Sequence, residues 1–260
     1  MASIIAVPAF SDNYVWMLRN DAHAVIVDPG DAAPVLDRLA SERVQLAAIF
    51  ATHHHNDHVG GIPALRERFD VPVFGPAGET IPERTHALRE GDAFEVAELR
   101  ASFRVLDIPG HTRGHIAFTA TIDGRPVVFC GDTLFAAGCG KLFEGTPAQM
   151  WSSLSKLAAL PSDTRVYCGH EYTLANLAFA QAVEPGNAAI AQRIARERAK
   201  RVAGQPTVPS VMADERATNP FLRSSVPAVR EAAQRHAGQE LEGDVGVFAA
   251  LRAWKNAFRG

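Results

Sequence analysis

The sequence predicts an α+β chain: a strand-rich domain over residues 1–172, in which packed sheets are covered by helices, and a small helical domain over residues 173–260. Three observations carry this reading. Short apolar or alternating runs, closed by turn residues, recur through the first two-thirds of the chain. After about Tyr172 the apolar period becomes helical, and no strand signal of similar quality follows. The 260 residues, 47% of them hydrophobic, are enough to bury a sizeable core in one large domain or two modest ones.

Ser3–Val7, Asn13–Leu18 and Ala24–Val27 read as strands, and Asp28-Pro29-Gly30 closes the third with turn chemistry. Pro34–Ala40 reads as a short helix, Gln45–Thr52 as a buried strand and Ile62–Phe69 as helical. Further strands are expected at Val71–Phe74, Phe103–Ile108, Ile116–Thr121, Pro126–Cys130 and Arg165–Cys168. Between the last two, Pro147–Ala159 is helical, with Met150, Leu154 and Leu157 on one face. In the second part, Leu174–Ala182 is helical until Glu184-Pro185-Gly186-Asn187 breaks it. Ala188–Val202 resumes with Ile190 and Ile194 on one face and Arg193, Arg196 and Arg198 outward. Pro206, Pro209 and Pro220 mark an irregular stretch. A final helix is expected with Asp244 as N-cap and Val247, Leu251, Trp254 and Phe258 on one face.

Charge and cysteine usage exclude several classes. With 26 Lys+Arg against 29 Asp+Glu, the net charge of −3 offers no field for a polyphosphate backbone, so nucleic acid is not an expected partner. Cys130, Cys139 and Cys168 are odd in number and contain no CxxC pair, which excludes a disulfide scaffold and points to a reducing compartment. Residues 1–10 lack an export signal, and no apolar run reaches the ~18 residues of a membrane span. A soluble, cytoplasmic monomer with no membrane partner is the expectation.

Ten histidines stand out, three of them consecutive, in Thr52-His53-His54-His55-Asn56-Asp57-His58. The run follows directly after an apolar strand. At the end of an extended segment, residues two apart point the same way, so His53 and His55 can converge on one ion. Asp57 and His58 lie where the chain turns into a helix and can reach a second point nearby. Such N/O donors, with no thiolate among them, have the composition of a zinc or iron site that is not a closed structural one. Three more segments add donors at strand ends: Pro109-Gly110-His111-Thr112-Arg113-Gly114-His115, Gly131-Asp132-Thr133 and Gly169-His170-Glu171-Tyr172. Loops at strand ends are where a rigid scaffold displays chemistry.

The THxHxDH run together with these segments resembles the metallo-β-lactamase superfamily. The resemblance implies an αββα sandwich carrying a two-metal site. Asp12-Asn13-Tyr14, Pro109-Gly110-His111-Thr112, Gly131-Asp132-Thr133-Leu134-Phe135, Gly138-Cys139-Gly140-Lys141, Glu144-Gly145-Thr146, Gly169-His170-Glu171-Tyr172-Thr173, Glu184-Pro185-Gly186-Asn187 and Asn219-Pro220-Phe221-Leu222-Arg223 further resemble the glyoxalase II family of that superfamily. The likeness spans nearly the whole chain, tail included. It implies that His53, His55 and His111 hold one metal, that Asp57, His58 and His170 hold a second, and that Asp132 bridges them. His54 and Asn56 occupy variable positions. His115 is expected behind the ligands, and Asp28 is expected to accept a hydrogen bond from a ligand histidine.

Two such ions, zinc first with iron or manganese also accepted by this donor set, would clamp a bridging hydroxide. Metal lowers the pKa of water from 15.7 towards ~7, so a nucleophile forms at neutral pH without an activated side chain. Asp57 and Asp132 are the expected catalytic carboxylates. The resemblance implies a glutathione thioester as small-molecule substrate, chiefly S-D-lactoylglutathione, hydrolysed in the second step of methylglyoxal detoxification. Lys141, Phe143, Tyr172, Arg252 and Lys255 match substrate-contact positions, with Phe143 standing where some members have Tyr; Arg259 extends the basic stripe of the last helix. The alternative within the superfamily is a persulfide dioxygenase with one iron, which would not need His170 or the basic helix. No GxSxG elbow is present, and Gly140-Lys141 is followed by Leu142 rather than Ser or Thr, so neither a serine hydrolase nor a P-loop is expected.

Overall fold

Alternation along the first strands sorts their side chains onto two buried faces. Trp16, Leu18, Val25 and Val27 turn to one side, and Val15, Met17, Ala24 and Ile26 turn to the other. A sheet buried on both faces must be covered twice, and the computed structural model, which describes residues 2–259, shows how. The first sheet holds β1 (Ser3–Ala9), β2 (Asn13–Arg19), β3 (His23–Val27), β4 (Gln45–Phe50), β5 (Val73–Pro76) and β6 (His86–Leu88) in chain order. β1 to β3 pair antiparallel and β3 to β6 parallel. The second sheet is built from β7 (Ala93–Val96), β8 (Ala101–Asp107), β9 (Ile116–Ile122) and β10 (Arg125–Gly131). After a small hairpin of β11 (Leu134–Phe135) and β12 (Gly138–Cys139), it is completed by β13 (Arg165–Cys168) and β14 (Ser210–Val211). Its spatial order is β14-β13-β10-β9-β8-β7, antiparallel except between β10 and β13.

The two sheets face each other across an aromatic core. The Phe50 ring of β4 lies 5.4, 5.3, 4.9 and 4.8 Å from those of Phe74, Phe94, Phe103 and Phe118. Phe50, Phe103 and Phe118 are fully buried, each contributing roughly 1.5–3 kcal/mol by leaving water. Outside the first sheet lie α1 (Ala32–Glu42), the single turn α2 (Asn56–Val59) and α3 (Ile62–Arg68). Val35, Leu39, Ile62 and Leu65 of these helices close its outer face. The other helices are α4 (Pro147–Ala158), α5 (Thr173–Val183), α6 (Ala188–Val202), α7 (Met212–Thr218), α8 (Pro227–Ala237) and α9 (Gly243–Ala257). Met150 and Leu154 of α4, Phe179 of α5, Val229 of α8 and Phe248 of α9 join one apolar cluster with the second sheet. The layers run helix, sheet, sheet, helix: the αββα sandwich followed by a mainly helical tail. No helix among the described residues is long and apolar enough to cross a membrane.

Four local expectations need correction. Arg193 does not point outward: it is 3% exposed and its Nη2 lies 2.6 Å from Glu215 Oε1. It is three residues from Ile190 and so shares the inward stripe of α6. The last helix is capped at Glu242, not Asp244, which sits in the first turn and accepts from Arg230 Nη2 at 2.8 Å. That helix ends at Ala257, so Phe258 and Arg259 lie beyond it, and Arg259 does not continue its basic face. The tail is not wholly helical either, because β14 adds to the second sheet; two residues are too few to display a period-2 pattern.

Candidate metal centre

β4, β8, β10 and β13 end at one edge of the sandwich, and their loops are tied together by main-chain hydrogen bonds. Ile116 N–H donates to Thr52 O at 3.0 Å, Gly169 N–H to Gly131 O at 3.0 Å, and Tyr14 N–H to Gly169 O at 2.8 Å. Two glycines allow the close approach. Gly131 has φ of 45°, and a Cβ there would meet Thr52 Oγ1 at 2.3 Å. A Cβ on Gly169 would meet His58 Cε1 at 2.6 Å and Asp132 Oδ1 at 2.7 Å.

All seven expected metal-ligating side chains come together here. One nitrogen each of His53, His55 and His111 lies within 4.8 Å of the others, and so do donor atoms of Asp57, His58 and His170. Asp132 stands between the two groups. Its Oδ1 is 3.3 Å from His58 Nε2, and its Oδ2 is 3.4 Å from His111 Nε2 and 3.3 Å from His170 Nε2. His54 turns away and meets Glu144 Oε1 at 2.8 Å instead.

Hydrogen bonds behind the rings decide which nitrogen each offers. Asp28 accepts from His58 Nδ1 at 3.1 Å, and Asp12 from His170 Nδ1 at 2.8 Å. The Lys141 carbonyl accepts from His111 Nδ1 at 2.9 Å, and Thr52 Oγ1 from His53 Nδ1 at 3.0 Å. Thr52 Oγ1 in turn donates to Asp28 at 2.8 Å, so one carboxylate orients two rings. These bonds leave Nε2 of His53, His58, His111 and His170 facing the centre. His55 differs: its Nδ1 is the atom near His53 Nε2, at 3.2 Å, and near His111 Nε2, at 3.0 Å. Asp28 holds its position at φ of 55°, a left-handed conformation that costs a non-glycine residue free energy. The buried His115 stacks on His53 at 4.5 Å, donates Nδ1–H to Ile116 O and accepts from Asp132 N–H at 3.1 Å.

The electrostatics favour cations. Burial, reinforced by His58, holds His53 well below the ordinary imidazole range, which keeps it in the neutral ligating form. Burial pulls His170 down, but Asp132 and Asp57 outweigh it and push the ring up to about 10. His58 is likewise pulled down by burial and driven well above its usual value by Asp132 and Asp28. Protons on these two rings answer the same carboxylate charge that a cation would answer. His58 Nε2 and Asp132 Oδ1 are nevertheless buried without a hydrogen-bond partner. Five imidazoles and two carboxylates, with orphaned atoms turned inward, fit divalent metal ions.

A cleft of about 370 Å³ opens from Asp132 and His111 and is also lined by Lys141, Phe143, Tyr172, Arg252 and Lys255. Phe143 is 64% exposed and sets its ring edge-on to His55 and His111, at 5.5 and 5.2 Å. Tyr172 stacks on His170 at 4.7 Å. Arg252 is buried, with Nη1 donating to the Cys139 carbonyl at 2.8 Å and Nε unpartnered. Lys255 Nζ donates to Ala175 O at 2.9 Å.

The sequence places Asp12, Asn13 and Thr52 within motifs but gives none of them a contact, and Glu79 lies outside every motif. Asn13 Nδ2 donates to Asp57 Oδ2 at 3.0 Å, and Glu79 Oε1 accepts from Thr112 Oγ1 and from Gly114 N–H, fastening the His111 loop. Asp12 is 158 residues from its partner, and no local pattern announces such a pair. Asp12→Ala is expected to weaken metal retention at the His170 side roughly 10–100-fold, measured by chelator competition.

Similarity to known proteins extends over both parts of the chain. The family model described as metallo-beta-lactamase superfamily matches residues 9–170, and the one described as hydroxyacylglutathione hydrolase C-terminus matches 171–258. The hydroxyacylglutathione hydrolase of Alkalilimnicola ehrlichii is 58% identical over 98% of this chain and 99% of its own. That of Cupriavidus metallidurans is 54% identical over the full length of both. Among solved structures, ETHE1 from Myxococcus xanthus superposes with a TM-score of 0.65 at 25% identity, covering 99% of each chain. TTHA1623 in a di-iron-bound form superposes with a TM-score of 0.52 at 29% identity, covering 65% of this chain and 91% of that one.

Proposed function

This chain belongs to the hydroxyacylglutathione hydrolases of the metallo-beta-lactamase superfamily, and we propose that it hydrolyses the thioester of S-(2-hydroxyacyl)glutathione, chiefly S-D-lactoylglutathione, to glutathione and D-lactate. The observation that carries this reading is Asp132, within 3.4 Å of ligand-type nitrogens from both histidine groups at the floor of a cationic cleft. His53, His55 and His111 would hold one divalent ion and Asp57, His58 and His170 a second, with Asp132 shared; zinc is the first expectation. Bound there, such ions supply Lewis acidity and a water acidic enough to act as nucleophile at neutral pH. The di-iron form of TTHA1623 supports a count of two.

The protein's own residues supply position. Asp57, fixed by Asn13, orients the attacking water, and Phe143 covers the His55 and His111 edges against bulk solvent. Lys141, Arg252 and Lys255 face the two carboxylates of the glutathionyl group, and Tyr172 flanks the reacting end through its stack on His170. The C–S bond breaks to release a thiolate, whose conjugate acid has a pKa of about 8.5, so no strong general acid is required. All the expected ligands come from one chain, and the three cysteines are free and buried; both accord with a cytoplasmic monomer. The relatives favour hydrolysis over persulfide oxidation.

Metal analysis with turnover of S-D-lactoylglutathione tests the reading. Wild type should carry two equivalents, and His170→Ala should lose one equivalent and about a hundredfold or more in kcat. Full activity with one tightly bound iron, unchanged by His170→Ala, would overturn it. The cleft also makes a pH prediction. Burial, with Arg252 beside it, pushes the Lys255 ammonium down to about 8. The charged form prevails below that pH and attracts the substrate carboxylate; above it the charge is lost. KM should therefore rise from about pH 8 upward, whereas Lys255→Met should show a raised KM without that inflection.

A further inference from the structure

We propose that His54, Glu79 and Glu144 form a separate divalent-cation site at the rim of the cleft, which fastens the Lys141–Thr146 loop to the sandwich. Between His53 and His55, the His54 ring is turned to Glu144, so it is unavailable to the centre described above. A ring nitrogen of His54 and one carboxylate oxygen each of Glu79 and Glu144 lie within 4.8 Å of one another. His54 Nε2 is 2.8 Å from Glu144 Oε1, while Glu144 Oε2 accepts from Arg113 N–H at 2.9 Å.

Glu79 is the independent indication of a ligand. It is only 8% exposed, its Oε1 is occupied by Thr112 and Gly114, and its Oε2 is buried with no hydrogen-bond partner among the described residues. A buried carboxylate oxygen left unanswered is costly, and a cation bound by the trio answers it. Arg113 lines the same cleft but reaches Glu144 through its main-chain N–H, and among the described residues it forms no ion pair with either glutamate. One imidazole and two carboxylates suit a first-row ion such as Zn²⁺ or Mn²⁺ rather than Ca²⁺ or Mg²⁺, which prefer oxygen alone. The open cleft, about 500 Å³, leaves room for water to complete the coordination.

The three donors sit on three loops. His54 follows β4, Glu79 lies between β5 and β6, and Glu144 lies in the loop that carries Lys141 and Phe143. Since Glu79 also grips Thr112 and Gly114, an ion here would couple the substrate-contact loop to the His111 loop. Its effect would fall on substrate binding, not on the chemical step.

Equilibrium dialysis of the metal-loaded enzyme against free Zn²⁺ tests this. The wild type should take up one further equivalent per chain. His54→Gln and Glu144→Gln should each weaken that uptake about tenfold or more without changing the tightly held metal. Hydrogen exchange of the 141–145 amides should slow on adding Zn²⁺ in the wild type and not in Glu144→Gln. Absence of the further equivalent, or its survival in both variants, would overturn the site. Neither result bears on thioester hydrolysis, because the readouts are metal content and loop exchange.

Discussion

Asp132→Ala is expected to lower kcat/KM for thioester hydrolysis by about a thousandfold or more while the protein stays folded. Its carboxylate is buried and approaches ring nitrogens of His58, His111 and His170 within 3.4 Å, so it faces both histidine groups from inside the centre, whereas Asp28 reaches them from behind, through His58 Nδ1 and Thr52. Removing it takes negative charge from both groups at once. Loss of several kcal/mol of electrostatic stabilisation corresponds to about three decades in rate at 1.36 kcal/mol per decade. Asp132→Asn keeps the shape and removes the charge, and should fail nearly as badly. The main-chain N–H of residue 132 still donates to His115 in either variant, which argues for an intact loop. Metal content and circular dichroism should separate the two effects: metal falls and the spectrum holds. A variant with more than about a tenth of wild-type activity would contradict the shared role of Asp132.

The second large effect is on stability. Glu215→Ala should destabilise the fold by about 3–5 kcal/mol, much of the roughly 5–15 kcal/mol available to a domain. Glu215 is fully buried on α7. Its Oε1 takes Arg193 Nη2 at 2.6 Å, and its Oε2 takes Ala137 N–H at 2.8 Å and Asn219 Nδ2 at 3.1 Å. Asn219 also donates to Gly138 O at 2.9 Å, so the network anchors the β11–β12 hairpin that leads to Lys141. Truncating the glutamate strands the Arg193 guanidinium, 3% exposed, without its counter-charge. Denaturant midpoints measure the loss. The double substitution Arg193→Met, Glu215→Leu should recover much of it, because removing both charges removes the desolvation penalty. A loss below about 1 kcal/mol in Glu215→Ala would show that the pair is not structural.

Much of the sandwich is legible in the sequence, because strands buried on one or both faces carry apolar runs and the tight turns carry Gly, Pro and Asp. Strand β13 lies where its apolar run predicts, and β4 ends at Phe50, two residues short of the expected Thr52. Thr52 leaves the sheet because its N–H and hydroxyl both go to Asp28. The unread pieces are short or weakly patterned. β11, β12 and β14 have two residues each, too few for periodicity. Helix α8 does carry its signals, Pro227 in the first turn and Gly238 at φ of 70° past the end, but its apolar stripe is thin.

By itself the sequence determined the order of the donor-type residues: which histidines and aspartates follow which strands, and that residues two apart at a strand end, His53 and His55, can converge on one point. That follows from the period of an extended chain, a local property. Only the tertiary structure decided how each ring is presented. The acceptors behind His53, His58, His111 and His170 are Thr52, Asp28, the Lys141 carbonyl and Asp12. All but Thr52 arrive from distant parts of the chain. The basic residues of the last helix were divided in the same way, Arg252 buried against the Cys139 carbonyl and Arg259 left past the helix end. A one-dimensional pattern specifies which faces are apolar; which buried polar atom meets which depends on how the layers close, since every such atom must then find a partner.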